Sequence, residues 1–182
     1  MANLSDFLPA AGGGGGLTPK FQEFNSSGTF TPTQALIDAG GFIEIFIVGG
    51  GGRSSSSDYG AAGGEVIMKQ MYLTSVTSCT VTIGAGGAVG GSGGNSVFLG
   101  SSAGGVDVTS IGGSAVHYQA NKLSNSWGAS LDGTAGNGVF GYGAGGGESE
   151  RKGIWQGKAN SGQGGPNNGP AGSGYCLIKY YE

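Results

Sequence analysis

Runs of glycine alternate along this chain with short blocks of β-branched and aromatic residues, and that alternation limits the folds open to it. The clearest block is Phe42-Ile43-Glu44-Ile45-Phe46-Ile47-Val48, with Gly40 and Gly41 before it and Gly49 to Gly52 after it. β-Branched and aromatic side chains favour a pleated surface and glycines bound the run, so the block reads as a strand. Alternation puts Ile43, Ile45 and Ile47 on one face. Phe42, Phe46 and Val48 lie on the other with only Glu44 polar, so both faces call for burial. A central strand meets that demand, as does a strand whose second face meets another subunit.

The same reading marks Gly28 to Pro32, Glu65 to Leu73, Cys79 to Ile83, Ser96 to Leu99, Val106 to Thr109, Ala115 to Tyr118 and Tyr175 to Tyr181 as strands. Cys79, Val81 and Ile83 alternate with Thr80 and Thr82, the pattern of a half-buried strand. No helical period is found. The expected fold is all-β, a sandwich or jelly-roll-like domain, with Phe42 to Val48 paired to Tyr175 to Tyr181. Glycine supplies 44 of 182 residues, but five prolines and the lack of a G-x-y period exclude a collagen helix. The 37% hydrophobic content is gathered in blocks, which a disordered chain lacks. We expect one β domain over residues 21–182, preceded by a segment, residues 1–20, of different character. In that segment Leu4, Phe7 and Leu8 precede the five glycines Gly12 to Gly16, which reads as an apolar attachment segment on a flexible tether, or as a loose chain end.

Between the strands lie long glycine-rich stretches, Gly49 to Gly52, Gly84 to Gly94, Gly133 to Gly147 and Gly162 to Gly174. Compact domains rarely carry structureless loops beyond ~12–15 residues, so these stretches either are mobile or pack on one another as polyglycine layers. The second arrangement is open to glycine because backbones without Cβ approach closely and extended segments can then hydrogen-bond laterally.

Only 10% of residues are charged and the net charge is −3, with the basic residues scattered, so no footprint for nucleic acid or an anionic membrane is present. The first residues lack the basic and apolar regions of a signal peptide, and no run of ~18 apolar residues occurs, so synthesis in the cytoplasm without membrane insertion is expected. Cys79 and Cys176 are in phase with apolar strand positions and read as buried free thiols. No cofactor or metal is called for, since His117 is the single histidine and two distant cysteines offer no zinc spacing.

Motifs of catalysis are matched only superficially. Gly141 to Gly146 fits GxGxxG, and Gly90-Gly91-Ser92-Gly93-Gly94 fits G-x-S-x-G, but no helix pattern follows either. Gly153 to Lys158 is one residue short of a phosphate-binding loop. Asp58, Asp107, Asp132, Glu148 and Glu150 could supply paired carboxylates for glycoside cleavage, a reading with no spacing to support it. An enzyme is not expected. Recognition is the better reading of the aromatic and charged residues set among the glycines: Tyr59, Tyr118, Trp127, Tyr142, Arg151, Lys152 and Trp155. Loops on a rigid sheet carry recognition, and Tyr and Trp give large contact area with few rotatable bonds. Phe140 reads as a plug of the core beneath the loops, while Trp127 and Trp155 fit either role.

In order along the chain, Gly28-Thr29-Phe30-Thr31-Pro32, Ile43 to Gly52, Val81-Thr82-Ile83-Gly84-Ala85-Gly86-Gly87, Gly94-Asn95-Ser96-Val97-Phe98 and Gly172 to Tyr181 resemble the glycine-rich domain of bacteriophage tail fibres and related adhesins. The likeness covers about residues 27–182. It departs from the family after Pro32, where Thr33 to Gly40 replaces the usual turn. The resemblance implies a virion component at the host-facing end of the tail, commonly a homotrimer, that binds other tail or fibre proteins and a host cell-surface receptor. Leu4, Phe7 and Leu8 would then serve virion attachment, and the loop residues above would meet the receptor. A structural connector or decoration protein and, less favoured, a surface-polysaccharide depolymerase are the alternatives.

Overall fold

Two four-stranded antiparallel sheets face each other across one apolar core, so the chain is an all-β sandwich. The structure is a computed structural model that describes residues 16–55, 60–115, 157, 159–165 and 169–182. Its elements are β1 (Pro19–Phe24), β2 (Gly28–Phe30), α1 (Gln34–Asp38), β3 (Phe42–Val48), β4 (Val66–Tyr72), β5 (Cys79–Thr82), β6 (Ser96–Leu99), a 3-10 turn (Gly100–Ala103), β7 (Asp107–Ser110) and β8 (Tyr175–Tyr181). One sheet has the order β1-β8-β3-β4 and the other β2-β5-β6-β7. The expected pairing of Phe42 to Val48 with Tyr175 to Tyr181 is present, antiparallel, with Ile45 opposite Ile178. β3 is central in its sheet, and Ile43, Ile45 and Ile47 are buried against Phe30, Val81 and Phe98 of the facing sheet. The Phe30 ring packs on Phe98 and, edge to face, on Tyr180, which ties the two sheets at that point.

Two elements were not legible in the sequence. β1 carries one buried residue, Phe24, and its apolar positions do not alternate, because an edge strand needs burial on little of its length. Contrary to the expectation of no helix, α1 forms one turn. Thr33 caps it, its Oγ1 accepting from the Leu36 N–H at 3.0 Å, and Leu36 fills the core. Five residues are too few for a 3.6-residue period to be seen. Gly40 and Gly41, at φ 100° and 71°, then turn the chain into β3 with their N–H groups on the Ile37 and Leu36 carbonyls.

The glycine-rich stretches that the structure describes are packed layers. Residues 49–54 run on from β3 as an axis with six neighbours. Gly50, Gly51 and Gly52 donate to Gly94, Gly172 and Ala62, each at 2.9 Å, and their carbonyls accept from Gly113 (2.7 Å), Gly87 (2.8 Å) and Gly165 (2.8 Å). Arg53 donates again to the strip that Gly50 bonds, at Gly91, so the bonding direction repeats every three residues, as in polyproline II. The six neighbours are bonded to one another in a closed ring through Gly94 to Ala85, Gly93 to Gly113, Ala62 to Ser114, Gly64 to Gly162, Gly172 to Gln163 and Gly174 to Gly84. Two buried serines join this lattice to the sandwich. Ser96 Oγ donates to the Val48 carbonyl (2.6 Å) and accepts from the Gly84 N–H (2.9 Å), and Ser110 Oγ donates to the Glu65 carbonyl (2.6 Å).

A Cβ on Gly51 would lie 2.0 Å from the Gln163 carbonyl oxygen, and one on Gly93 would lie 2.0 Å from that of Gly50. Both obstacles are backbone, so the lattice must open to admit a methyl group. Gly51→Ala and Gly93→Ala are each expected to lower stability by about 3 kcal/mol, whereas Gly16→Ala, with nothing near its would-be Cβ, stays within about 0.5 kcal/mol of the parent. Urea unfolding of the three variants checks this.

Candidate functional site

Six of the lattice strips run directly into strands. Residues 49–54 follow β3, 60–65 precede β4, 83–87 follow β5, 91–95 precede β6, 111–114 follow β7 and 170–174 precede β8. Their sandwich ends are fixed by the strands, and so their other ends gather on the opposite side. There Arg53 meets Gly91 and Gly165, Gly90 lies against Ser55, and Gly157 donates to the Pro170 carbonyl at 2.8 Å. The chain leaves and re-enters this end at Ser55 and Gly60, at Ala115 and Gly157, and at Gly165 and Gly169. Tyr59 belongs to the first of these segments, and Tyr118, Trp127, Tyr142, Arg151, Lys152 and Trp155 belong to the second. These seven residues lie outside the described residues, as do Leu4, Phe7 and Leu8, and so do Phe140 and His117. The described residues near the ends of the two segments are tied into the lattice: Ser54 donates to the Gly165 carbonyl at 3.1 Å, Ala62 to the Ser114 carbonyl at 3.0 Å and Gly157 to the Pro170 carbonyl.

The chemistry-like motifs dissolve where they are described. Ser92 is an exposed residue of a lattice strip that leads into a strand, with no helix behind it. Asp107 accepts from the Ser101 N–H at 3.0 Å, and this bond holds its carboxyl below the usual carboxylate range; it secures the 3-10 turn. The Glu65 carboxylate accepts from the Ile111 N–H at the foot of the lattice. Among the described residues no group of three His, Cys, Asp or Glu is placed to hold a metal ion.

A second feature was only half visible in the sequence. The outer face of the β1-β8-β3-β4 sheet carries Leu17, Phe21, Met68 and Tyr72, each more than half exposed, around half-buried Phe42, Phe46 and Leu177. A shallow groove of about 480 Å³ runs across it, lined by Phe21, Phe46, Met68 and Leu177. In the middle, Lys179 Nζ lies 3.0 Å from the Glu44 carboxylate and Gln70 donates to Glu44 at 2.7 Å. These bonds, Gln70 first and then Lys179, hold the Glu44 carboxyl below its ordinary range, while Tyr181 and Glu44 raise the Lys179 ammonium. The alternation of β3 pointed to its Phe42 and Phe46 face. Phe21 and Met68 join it only through the register that places β1 and β4 at the two edges.

No family model matches the chain, and no curated protein matches it.

Cys79 and Cys176 are both free and buried in the core, in keeping with their phase in the sequence. Burial pushes the Cys176 thiol up to about 12 and raises Cys79 as well. A folded pKa above the unfolded one means the thiols add stability below the unfolded value that is lost as pH rises toward the folded value. Both are expected to resist alkylation by iodoacetamide at pH 8 in the native protein and to react once it is unfolded in urea, which mass spectrometry reads directly. For Glu44 the sign is opposite, because its folded pKa is depressed. Its contribution is present above the unfolded value and lost as pH falls through the folded one, so Glu44→Gln should flatten the acid side of the stability profile measured by urea unfolding.

Proposed function

We propose that the protein is a bacteriophage tail-fibre or receptor-binding protein of the virion, acting by recognition and without catalysis. The observation that carries this reading is the closed glycine lattice, which extends six strands of the sandwich and holds, at its far end, the described residues that flank segments 56–59 and 116–156, whose sequences carry the aromatic residues. A binding surface gains affinity when its loops are held in place beforehand, and Tyr and Trp lose little entropy on contact. The resemblance to glycine-rich fibre domains supports the same reading. In this account Tyr59, Tyr118, Trp127, Tyr142, Arg151, Lys152 and Trp155 meet a host surface glycan or outer-membrane protein, and Leu4, Phe7 and Leu8 hold the protein to a neighbouring tail component.

A second reading, a structural connector or decoration protein of the virion, draws on the apolar segment and glycine tether before the domain. The two part on binding. As a receptor-binding protein, the purified chain attaches to host cells and competes with virion adsorption, and replacing Trp127, Tyr142 and Trp155 together by Ala weakens attachment by about tenfold or more while leaving the melting temperature in place. Failure both to bind and to compete removes the receptor role and leaves the connector.

A further inference from the structure

We propose that the outer face of the β1-β8-β3-β4 sheet is the contact surface of a two-fold dimer of this chain. The sheet's edges turn other copies away: β1 begins with Pro19, and Lys20 and Lys69 occupy inward-facing register positions on the two edge strands, opposite Tyr180 and Ile45, yet remain exposed. Charges at such positions block edge-to-edge pairing. Strands β2 and β7, which edge the other sheet, are three and four residues long and offer little to pair with. Association through the sheets is thereby left to the face. Its central polar groups are already bonded to one another, Glu44 to Lys179 and Gln70, so covering the face strands no unpaired charge.

Charge order across the face identifies the occupant as a second copy and fixes its orientation. Lys179 and Glu44 are register partners on adjacent strands, as are Leu177 and Phe46 one step along. A two-fold axis in the contact plane, running along the strands between β8 and β3, lays β8 of each copy over β3 of the other. Lys179 then faces Glu44 of the second copy, twice over, and Leu177 faces Phe46. An axis across the strands at that level would instead stack Lys179 on Lys179 and Glu44 on Glu44. The first arrangement is also the aligned packing that twisted sheets adopt, about 10 Å apart. A three-fold axis cannot set one face against itself, so this surface yields a dimer and not the trimer that the resemblance implies.

The full chain is expected to be a dimer at micromolar concentration by sedimentation equilibrium. Glu44→Lys and Lys179→Glu each set like charges across the axis and are expected to weaken dimerisation by at least about tenfold. An equimolar mixture of the two variants restores it, because each contact in the mixed pair again joins opposite charges. Recovery on mixing is not expected of a purely intramolecular bridge, which both variants lack. Met68→Glu, at an exposed position outside the ion pair, weakens dimerisation with circular dichroism unchanged, and it carries the test should either charge variant fail to fold. A wild-type monomer or trimer, a mixture no more associated than its components, or a folded Met68→Glu that dimerises like the parent overturns the proposal.

Discussion

Close approach of one backbone to six others is the condition on which the rest of this structure depends. Each N–H and carbonyl of Gly50, Gly51 and Gly52 is bonded to a different strip of chain, and the strips close a ring around them. Such density is open only to residues without a Cβ at the contact points, and the obstacle there is backbone, which cannot rotate aside as a side chain can. Magnitudes show which part supports which. A lattice hydrogen bond adds a net ~0.5–1.5 kcal/mol, whereas fixing the backbone of a residue costs ~1–2 kcal/mol. The lattice therefore does not stand alone. Burial of large core side chains such as Phe30, Phe98 and the β3 isoleucines, each contributing ~1.5–3 kcal/mol, offsets the difference.

The dependence also runs the other way. The strands of the sandwich are short, three to seven residues, and six of them pass into the lattice without an intervening loop. Ser96 and Ser110 couple the two parts by bonding strand side chains to carbonyls at the junction. The sandwich thus occupies one end of the described residues, and the far ends of the lattice strips the other. The open apolar face belongs to the sandwich.

Much of the fold was legible. The boundaries of β3, β6 and β8 agree with those read from residue type, since buried strands announce themselves by continuous or alternating apolar residues. The pairing of β3 with β8 agrees with the closure expected between distant ends of the chain, and the burial of both thiols follows from their phase. β1 did not, because an edge strand with Lys20, Gln22 and Glu23 has no apolar rhythm to read. α1 was hidden by its single turn. The candidate recognition residues stand out in the sequence by chemistry and glycine-rich context, and the structure describes only residues that flank the segments holding them. Phe21 and Met68 give no signal in the sequence for a different reason: each is ordinary in its own strand and becomes part of a patch only beside β8 and β3.

By itself the sequence determined the class of fold, the strands other than β1, and the capacity of the glycine-rich stretches to pack, for these follow from local matters: side-chain branching, alternation and the absence of Cβ. Only the tertiary structure decided that the described stretches form a closed ring about residues 49–54, and that Glu44 and Lys179 stand side by side on an open apolar face. Both depend on which distant backbones are neighbours. Glycine carries no side chain with which to encode a partner, so the register of the lattice is inherited from the strands that enter it.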